Sequence, residues 1–301
     1  EGYTDVNPST TYTEQRGYGI EGSVKSEGAP SIDNATSDYL SGDFTFKAKV
    51  TKGKLYKVKV AFSGDLVSEY VSEALSGHER TLEAEGTTHT GYTVKTAEIT
   101  EQIYDIPVVD DVLDLKFTGA KVAYITIEKV EKTAAEKPNI WSVGDSTIGN
   151  NGSYAYNLAR DQANYPELTA LADYHNNGKG SRNLKTYYTQ GWLDNILINI
   201  RPGDIVTIGN MGTNPGGMSG TQFKAPLDYY VDACLAMGAK VILTSYTPHG
   251  CVEGYEYVYD KTTHTFHGCR EDAYDSLGIR VIYEERKDNP DILGFIDIGL
   301  N

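Results

Sequence analysis

Four short segments of this 301-residue chain carry residue types that could do chemistry together. Each follows an apolar run, near 139–143, 168–174, 204–210 and 240–245. The first run empties into Gly144-Asp145-Ser146-Thr147 and the second into Asn176-Asn177-Gly178-Lys179-Gly180-Ser181-Arg182-Asn183. The third empties into Gly209-Asn210-Met211-Gly212-Thr213-Asn214-Pro215 and the fourth into Thr247-Pro248-His249-Gly250. If the runs are strands of one parallel sheet, a hydroxyl, a glycine-rich loop, a carboxamide and an imidazole gather at the edge where such sheets bind ligands. Those parts suit acyl transfer. A hydroxyl attacks a carbonyl carbon, and backbone amides with an Asn side chain stabilise the oxyanion. Glycines let the backbone approach the substrate closely.

The elements that would position these residues can be read from periodicity. Over 221–237, Phe223, Leu227, Tyr230, Val231, Cys234 and Leu235 recur at helical spacing, as do Leu193, Ile196, Leu197 and Ile200 over 192–200. A fifth apolar run spans 292–298. Strands alternating with helices predict an α/β domain with a parallel sheet. The pattern before residue 131 is different. Phe44, Phe46, Ala48 and Val50 alternate with polar residues, as do Tyr56, Val58, Val60 and Phe62. Further strands are expected near 79–85, 91–99, 112–118 and 121–130, with turns at Thr51-Lys-Gly-Lys54 and Thr118-Gly-Ala-Lys121. Short strands at this spacing predict an all-β sandwich. The charged stretch Glu131–Pro138 reads as a linker, drawn at 133–138 between a β domain (1–132) and an α/β domain (139–301).

Composition narrows the function. Hydrophobic residues make up 39% and charged residues 23%, as in globular domains with real cores. A net charge of −15 argues against nucleic acid and anionic membrane surfaces as partners. No run reaches membrane-spanning length, and no signal-peptide pattern is present. The chain starts at Glu1, which reads as a mature or trimmed product, compatible with secretion. The 23 Tyr against 7 Phe suit sugar-binding surfaces or, equally, strand positions. Of the three cysteines, Cys251 and Cys269 could pair, whereas Cys234 falls on an apolar helix face and reads as core. Asp110, Asp111 and Asp114 lack the spacing of a calcium loop and read as a solvated acidic edge.

Gly144-Asp145-Ser146 after the first run resembles the first block of the SGNH (GDSL-type) hydrolases. The Asn176–Asn183 loop with Tyr187-Tyr188-Thr189-Gln190-Gly191 is similar to the second block of rhamnogalacturonan acetylesterases. Gly212-Thr213-Asn214 resembles the third, and Thr247-Pro248 the ending of the fourth strand. The likeness covers about 139–301. It implies a flavodoxin-like three-layer α/β fold, and the β domain before it, including Arg16-Gly17-Tyr18-Gly19, looks like the jelly-roll or galactose-binding-like sandwich that precedes such esterases in some bacterial polysaccharide-degrading enzymes. It also implies a bacterial, extracellular carbohydrate O-acetylesterase that needs no cofactor and no metal. Ser146 would be the nucleophile. The amides of Ser146 and of Gly180 or Ser181 would be oxyanion donors, with the Asn214 side chain as third donor and Asn210 as its rival. Asp145, Thr147, Arg182 and His249 would lie against substrate, Asp145 chiefly supporting the turn. Acetylated plant cell-wall polysaccharide is the implied partner, either pectin of the rhamnogalacturonan type or a neutral glycan such as xylan, within a larger multi-domain or multi-enzyme assembly.

The sequence departs from this pattern in two places. Pro215 stands where the third block usually has Asp, and no Asp-x-x-His block, the family's source of the catalytic base, occurs in the chain. The expectation is therefore a C-terminally truncated hydrolase domain of impaired activity. The alternative is a non-catalytic carbohydrate-binding protein that keeps the fold. His264 and His267 are weaker stand-ins for the base, because they sit in a polar, solvated loop.

Overall fold

The computed structural model describes residues 3–28, 38–62, 81–95, 100–150, 153–209, 220–245, 258–260, 265–267 and 276–296. Two compact units divide the chain, Glu1–Glu131 and Lys132–Asn301.

The N-terminal unit contains β1 (Tyr18–Gly28), β2 (Asp38–Lys49), β3 (Lys54–Phe62), β4 (Thr81–Ala84), β5 (Thr87–Thr90), β6 (Tyr92–Lys95), β7 (Thr100–Val108) and β8 (Val112–Val130). They form one antiparallel sheet ordered β1-β2-β8-β3-β7-β6, with the β4–β5 hairpin attached to β8. The turn expected at Thr118-Gly-Ala-Lys121 is instead a bulge inside the 19-residue strand β8. There, Thr118 and Gly119 oppose Asp43 alone, between the pairs Phe44↔Phe117 and Gly42↔Ala120. Gly119 takes φ +58°, and its N–H donates to the Asp43 carboxylate at 2.7 Å. A bulge bends and twists a strand, and β8 changes partner just beyond this one, pairing with β2 up to Val122 and with β3 from Val122 on. Residues from both stretches, Phe117 and Val122 among them, share one core with Ile20, Val58, Tyr104 and Ile106. The β unit thus joins its halves through β8 in one continuous sheet rather than as two separate sheets.

The C-terminal unit runs β9 (Asn139–Val143), α1 (Ser146–Gly149), α2 (Tyr154–Arg160), a 3₁₀ turn (Gln162–Asn164), α3 (Pro166–Thr169), β10 (Asp173–Asn176), α4 (Leu184–Thr189), α5 (Trp192–Asn199) and β11 (Ile205–Gly209). It continues with α6 (Gly220–Ala236), β12 (Lys240–Thr244), β13 (Val258–Asp260), β14 (Thr265–His267), α7 (Ser276–Arg286) and β15 (Ile292–Ile296). Five strands form a parallel sheet ordered β10-β9-β11-β12-β15, while β13 and β14 make a separate hairpin. Numbered along the chain, the five strands follow the order 2-1-3-4-5, that of flavodoxin-like doubly wound sheets. The chain leaves β9 toward β10 and then crosses back to β11. The crevice between β9 and β11 is therefore the switch point, where ligands of such sheets bind at the carboxyl ends of the strands.

Helix α6 packs on α4, α5 and α7, and also against β11 and β12. Leu193, Ile196, Leu197, Leu227 and Val231 are fully buried there. Cys234 on α6 is buried with them, and burial pushes its thiol up to about 12. The expected Cys251–Cys269 pair lies outside the described residues.

At the opposite, amino-terminal edge of the sheet, one buried carboxylate ties β9 to β11. Asp204 accepts from Asn139 N–H at 2.8 Å, from Asn139 Nδ2, from Trp141 Nε1 at 3.2 Å and from Arg201 N–H at 3.0 Å. His175 on β10 stacks on Trp141 and its Nε2 meets Asn139 Oδ1 at 2.9 Å.

Candidate active site

Ser146 is the first residue of α1, directly beyond the carboxyl end of β9. The turn that presents it is built by its neighbours. Gly144 is required because a Cβ there would come within 2.4 Å of Ile148 Cγ1. Asp145 caps α1, its Oδ1 accepting from Thr147 N–H at 2.8 Å and its carbonyl from Gly149 N–H at 2.9 Å. Asp145 is fully buried, and its side chain holds the turn. Ser146 and Thr147 are partly exposed. Ser146 N–H makes no hydrogen bond within the described residues, as befits a first helical residue whose cap serves the next amide. Helix α1 has only four residues, so its free amide acts as a single donor and not through a macrodipole.

The loop after β10 is laid over this turn. Asn177 N–H donates to Ser142 O at 3.0 Å and Lys179 N–H to Gly144 O at 2.9 Å, which extends the β9–β10 pairing past the end of the sheet. Asn176 links the two segments: its Nδ2 donates to Ile148 O at 3.0 Å and its Oδ1 accepts from Gly178 N–H at 2.9 Å. From below, the buried Tyr187 hydroxyl donates to Asn177 O at 2.9 Å. Gly178 and Gly149 meet backbone to backbone, and a Cβ on Gly178 would fall 2.3 Å from Gly149 N.

These ties carry Gly180 to Ser146. A Cβ built on Gly180 would lie 3.7 Å from Ser146 Cβ, in ordinary contact. Ser181 follows in the left-handed region at φ +59°, a conformation that costs a non-glycine residue about 1–2 kcal/mol. The Arg182 guanidinium offsets that cost, because Nη1 donates to Gly180 O and Nε to Gln190 Oε1, each at 2.9 Å. A hydrogen bond with one charged partner is worth about 1.5–3 kcal/mol. Within the described residues neither Gly180 nor Ser181 N–H has an acceptor. The Lys179 ammonium lies 4.0 Å from the Trp192 ring centroid.

The structure thus gathers Ser146, Thr147, Gly180, Ser181 and Arg182 at the switch point. Asn210, Asn214, His249 and His264, along with the side chain of His267, lie outside the described residues. His175, the imidazole described in this unit, belongs to the Asn139–Asp204 network and not to Ser146. The sequence did not single out Asn176 or Tyr187 as organisers of the loop. The Asn-Asn-Gly run was the available signal, since Asn readily bonds backbone two residues on. Gly209, at the end of β11, has its own reason for lacking a side chain: a Cβ would fall 1.8 Å from Thr244 Oγ1.

No protein-family model and no curated protein matches the chain. Solved structures with some likeness include protein YXIM of Bacillus subtilis, 22% identical with a TM-score of 0.38, covering 95% of this chain and 80% of that one. A provisionally assigned acylhydrolase of Bacteroides fragilis is 16% identical with a TM-score of 0.37, covering 56% of this chain and 70% of that one. A peptidoglycan O-acetylesterase is 11% identical with a TM-score of 0.25, covering 82% and 57%. Likeness at this level does not fix a function, and the chemistry rests on the residues themselves.

Proposed function

We propose that the chain is a serine esterase that removes O-acetyl groups from an acetylated cell-wall polysaccharide, with Ser146 as nucleophile. The observation that carries this reading is the half-exposed Ser146 at the switch point of a 2-1-3-4-5 sheet, with unbonded amides on its own turn and on the Gly180–Ser181 segment facing it. Ser146 Oγ attacks the acetyl carbonyl carbon and its proton passes to a general base. The carbonyl oxygen becomes an oxyanion held by Ser146 N–H and an amide of Gly180 or Ser181, with the Asn214 or Asn210 carboxamide as the remaining donor. Collapse expels the sugar oxygen, which leaves as a hydroxyl with the base's proton. Water then cleaves the acyl-serine, releases acetate and restores Ser146.

No described side chain serves as that base, and the chain has no Asp-x-x-His. The second reading is a carbohydrate-binding protein that keeps the fold without turnover. Plant pectin or xylan as substrate, an extracellular location and a larger assembly belong to the proposal. No helix among the described residues is long and apolar enough to cross a membrane.

Acetate release from an aryl acetate, acetylated pectin and acetylated xylan separates the two readings. Release by the chain that is abolished in Ser146→Ala supports the esterase. Polysaccharide binding with no acetate released supports the binding protein.

A further inference from the structure

We infer that Arg182 is a positioning residue for the oxyanion site, and that the amide it positions is Ser181 N–H. This rests on the esterase reading and adds a role for Arg182 other than substrate contact. Its Nη1 donates to Gly180 O and its Nε to Gln190 Oε1, both at 2.9 Å, so the guanidinium bridges the loop and the end of α4. Gly180 O and Ser181 N–H belong to one planar trans peptide and point in opposite directions. Holding the carbonyl toward Arg182 therefore turns the Ser181 amide away from Arg182. The same peptide begins at Gly180, whose Cα faces Ser146 closely enough that a Cβ would touch Ser146 Cβ. The left-handed Ser181 is the residue that would relax if the peptide flipped, because a non-glycine side chain disfavours φ +59°. Arg182, held at its far side by Gln190, resists that flip. The charged donor also polarises the peptide, which makes its N–H a better partner for developing negative charge.

The experiment measures 4-nitrophenyl acetate hydrolysis by the intact chain and by Ser146→Ala, Arg182→Ala, Arg182→Lys and Gln190→Ala, with thermal melts of each. Loss of one oxyanion donor costs about 10²–10³ in kcat. A loosened donor in Arg182→Ala should lower kcat by about 10–100-fold with KM within about twofold, and added guanidinium ion should recover part of the loss. Arg182→Lys keeps the charge but not the fork and should lose less; it supplies the same comparison where the alanine variant does not fold. Gln190→Ala should lose less than Arg182→Ala, in kcat alone. A rise in KM at unchanged kcat makes Arg182 a substrate contact and overturns the inference. Unchanged kcat and KM in both Arg182 variants overturns it as well. Hydrolysis that is equal in the parent chain and Ser146→Ala defeats the esterase reading itself, an outcome distinct from either.

Discussion

Replacing Gly178 by Ala tests whether the loop after β10 sets the geometry around Ser146. The added Cβ would lie 2.3 Å from Gly149 N, 2.7 Å from Gly149 Cα and 2.8 Å from Ile148 C, where ordinary contact begins at 3.4 Å. The loop and α1 must therefore part by about 1 Å, and no rotamer can relieve the clash because the opposing atoms are all backbone. Helix α1 is a single turn, so the displacement reaches Ser146 or the Gly180–Ser181 amides. A misplacement of about 1 Å costs about 10² in rate, roughly 2.7 kcal/mol of transition-state stabilisation. The same overpacking should lower stability by about 1–3 kcal/mol. Gly180→Ala is the matched control: its Cβ meets Ser146 Cβ at 3.7 Å and requires no backbone shift, so its melting temperature should hold or rise slightly. Aryl acetate hydrolysis and thermal unfolding of the two variants give the comparison. A Gly178→Ala protein with kcat/KM within about threefold of the parent refutes the claim that this backbone contact positions Ser146.

Other expectations follow from the same contacts. Asp204→Ala removes the acceptor for Asn139 N–H, Asn139 Nδ2, Trp141 Nε1 and Arg201 N–H. Buried donors left unpaired cost about 1–3 kcal/mol each, so chemical denaturation should show a loss of at least about 3 kcal/mol. Asp145→Ala removes the cap that accepts from Thr147 N–H and should cost about 1 kcal/mol, with activity falling further than stability. Burial holds the His175 imidazole below its ordinary value of 6.5. The unfolded chain therefore binds a proton there before the folded one does, and His175 contributes stability above about pH 6.5 that is lost as the pH falls through the folded value. Melting temperatures across pH 5–8 should show a decline on the acid side that is shallower in His175→Gln; identical profiles would remove His175 as its source.

Much of the C-terminal unit was legible because its signals are local. The apolar runs at 139–143, 240–245 and 292–298 became β9, β12 and β15, and the helical spacing over 221–237 became α6. The run at 168–174 misled. Pro166 starts a helical turn that reaches Thr169, and β10 begins only at Asp173. In the β unit, β1 escaped detection because it shows almost no alternation. Most of its residues are exposed, and Gly22 is there because a Cβ would strike Asp43 O at 2.7 Å. Strand β7 was hidden by Pro107 and by Gln102, a polar residue that is nonetheless buried and donates to Thr93 Oγ1. The Gly119 bulge reads as a turn because sequence shows the left-handed glycine but not the partner strand that continues beside it. At the site, Ser146 and Gly180 were legible as a motif and a glycine-rich loop. The ties through Asn176, Tyr187 and Arg182 were not, since they join residues that only the parallel sheet and its packing bring together.

The most direct test of the central claim is trapping the acyl-enzyme. The chain would be mixed with an aryl acetate, quenched in acid and mapped by peptide mass spectrometry. The account predicts one acetyl group on the peptide carrying Ser146, absent from Ser146→Ala and accumulating where the base is weak. Acetyl groups scattered over lysines and equally abundant in Ser146→Ala would contradict it.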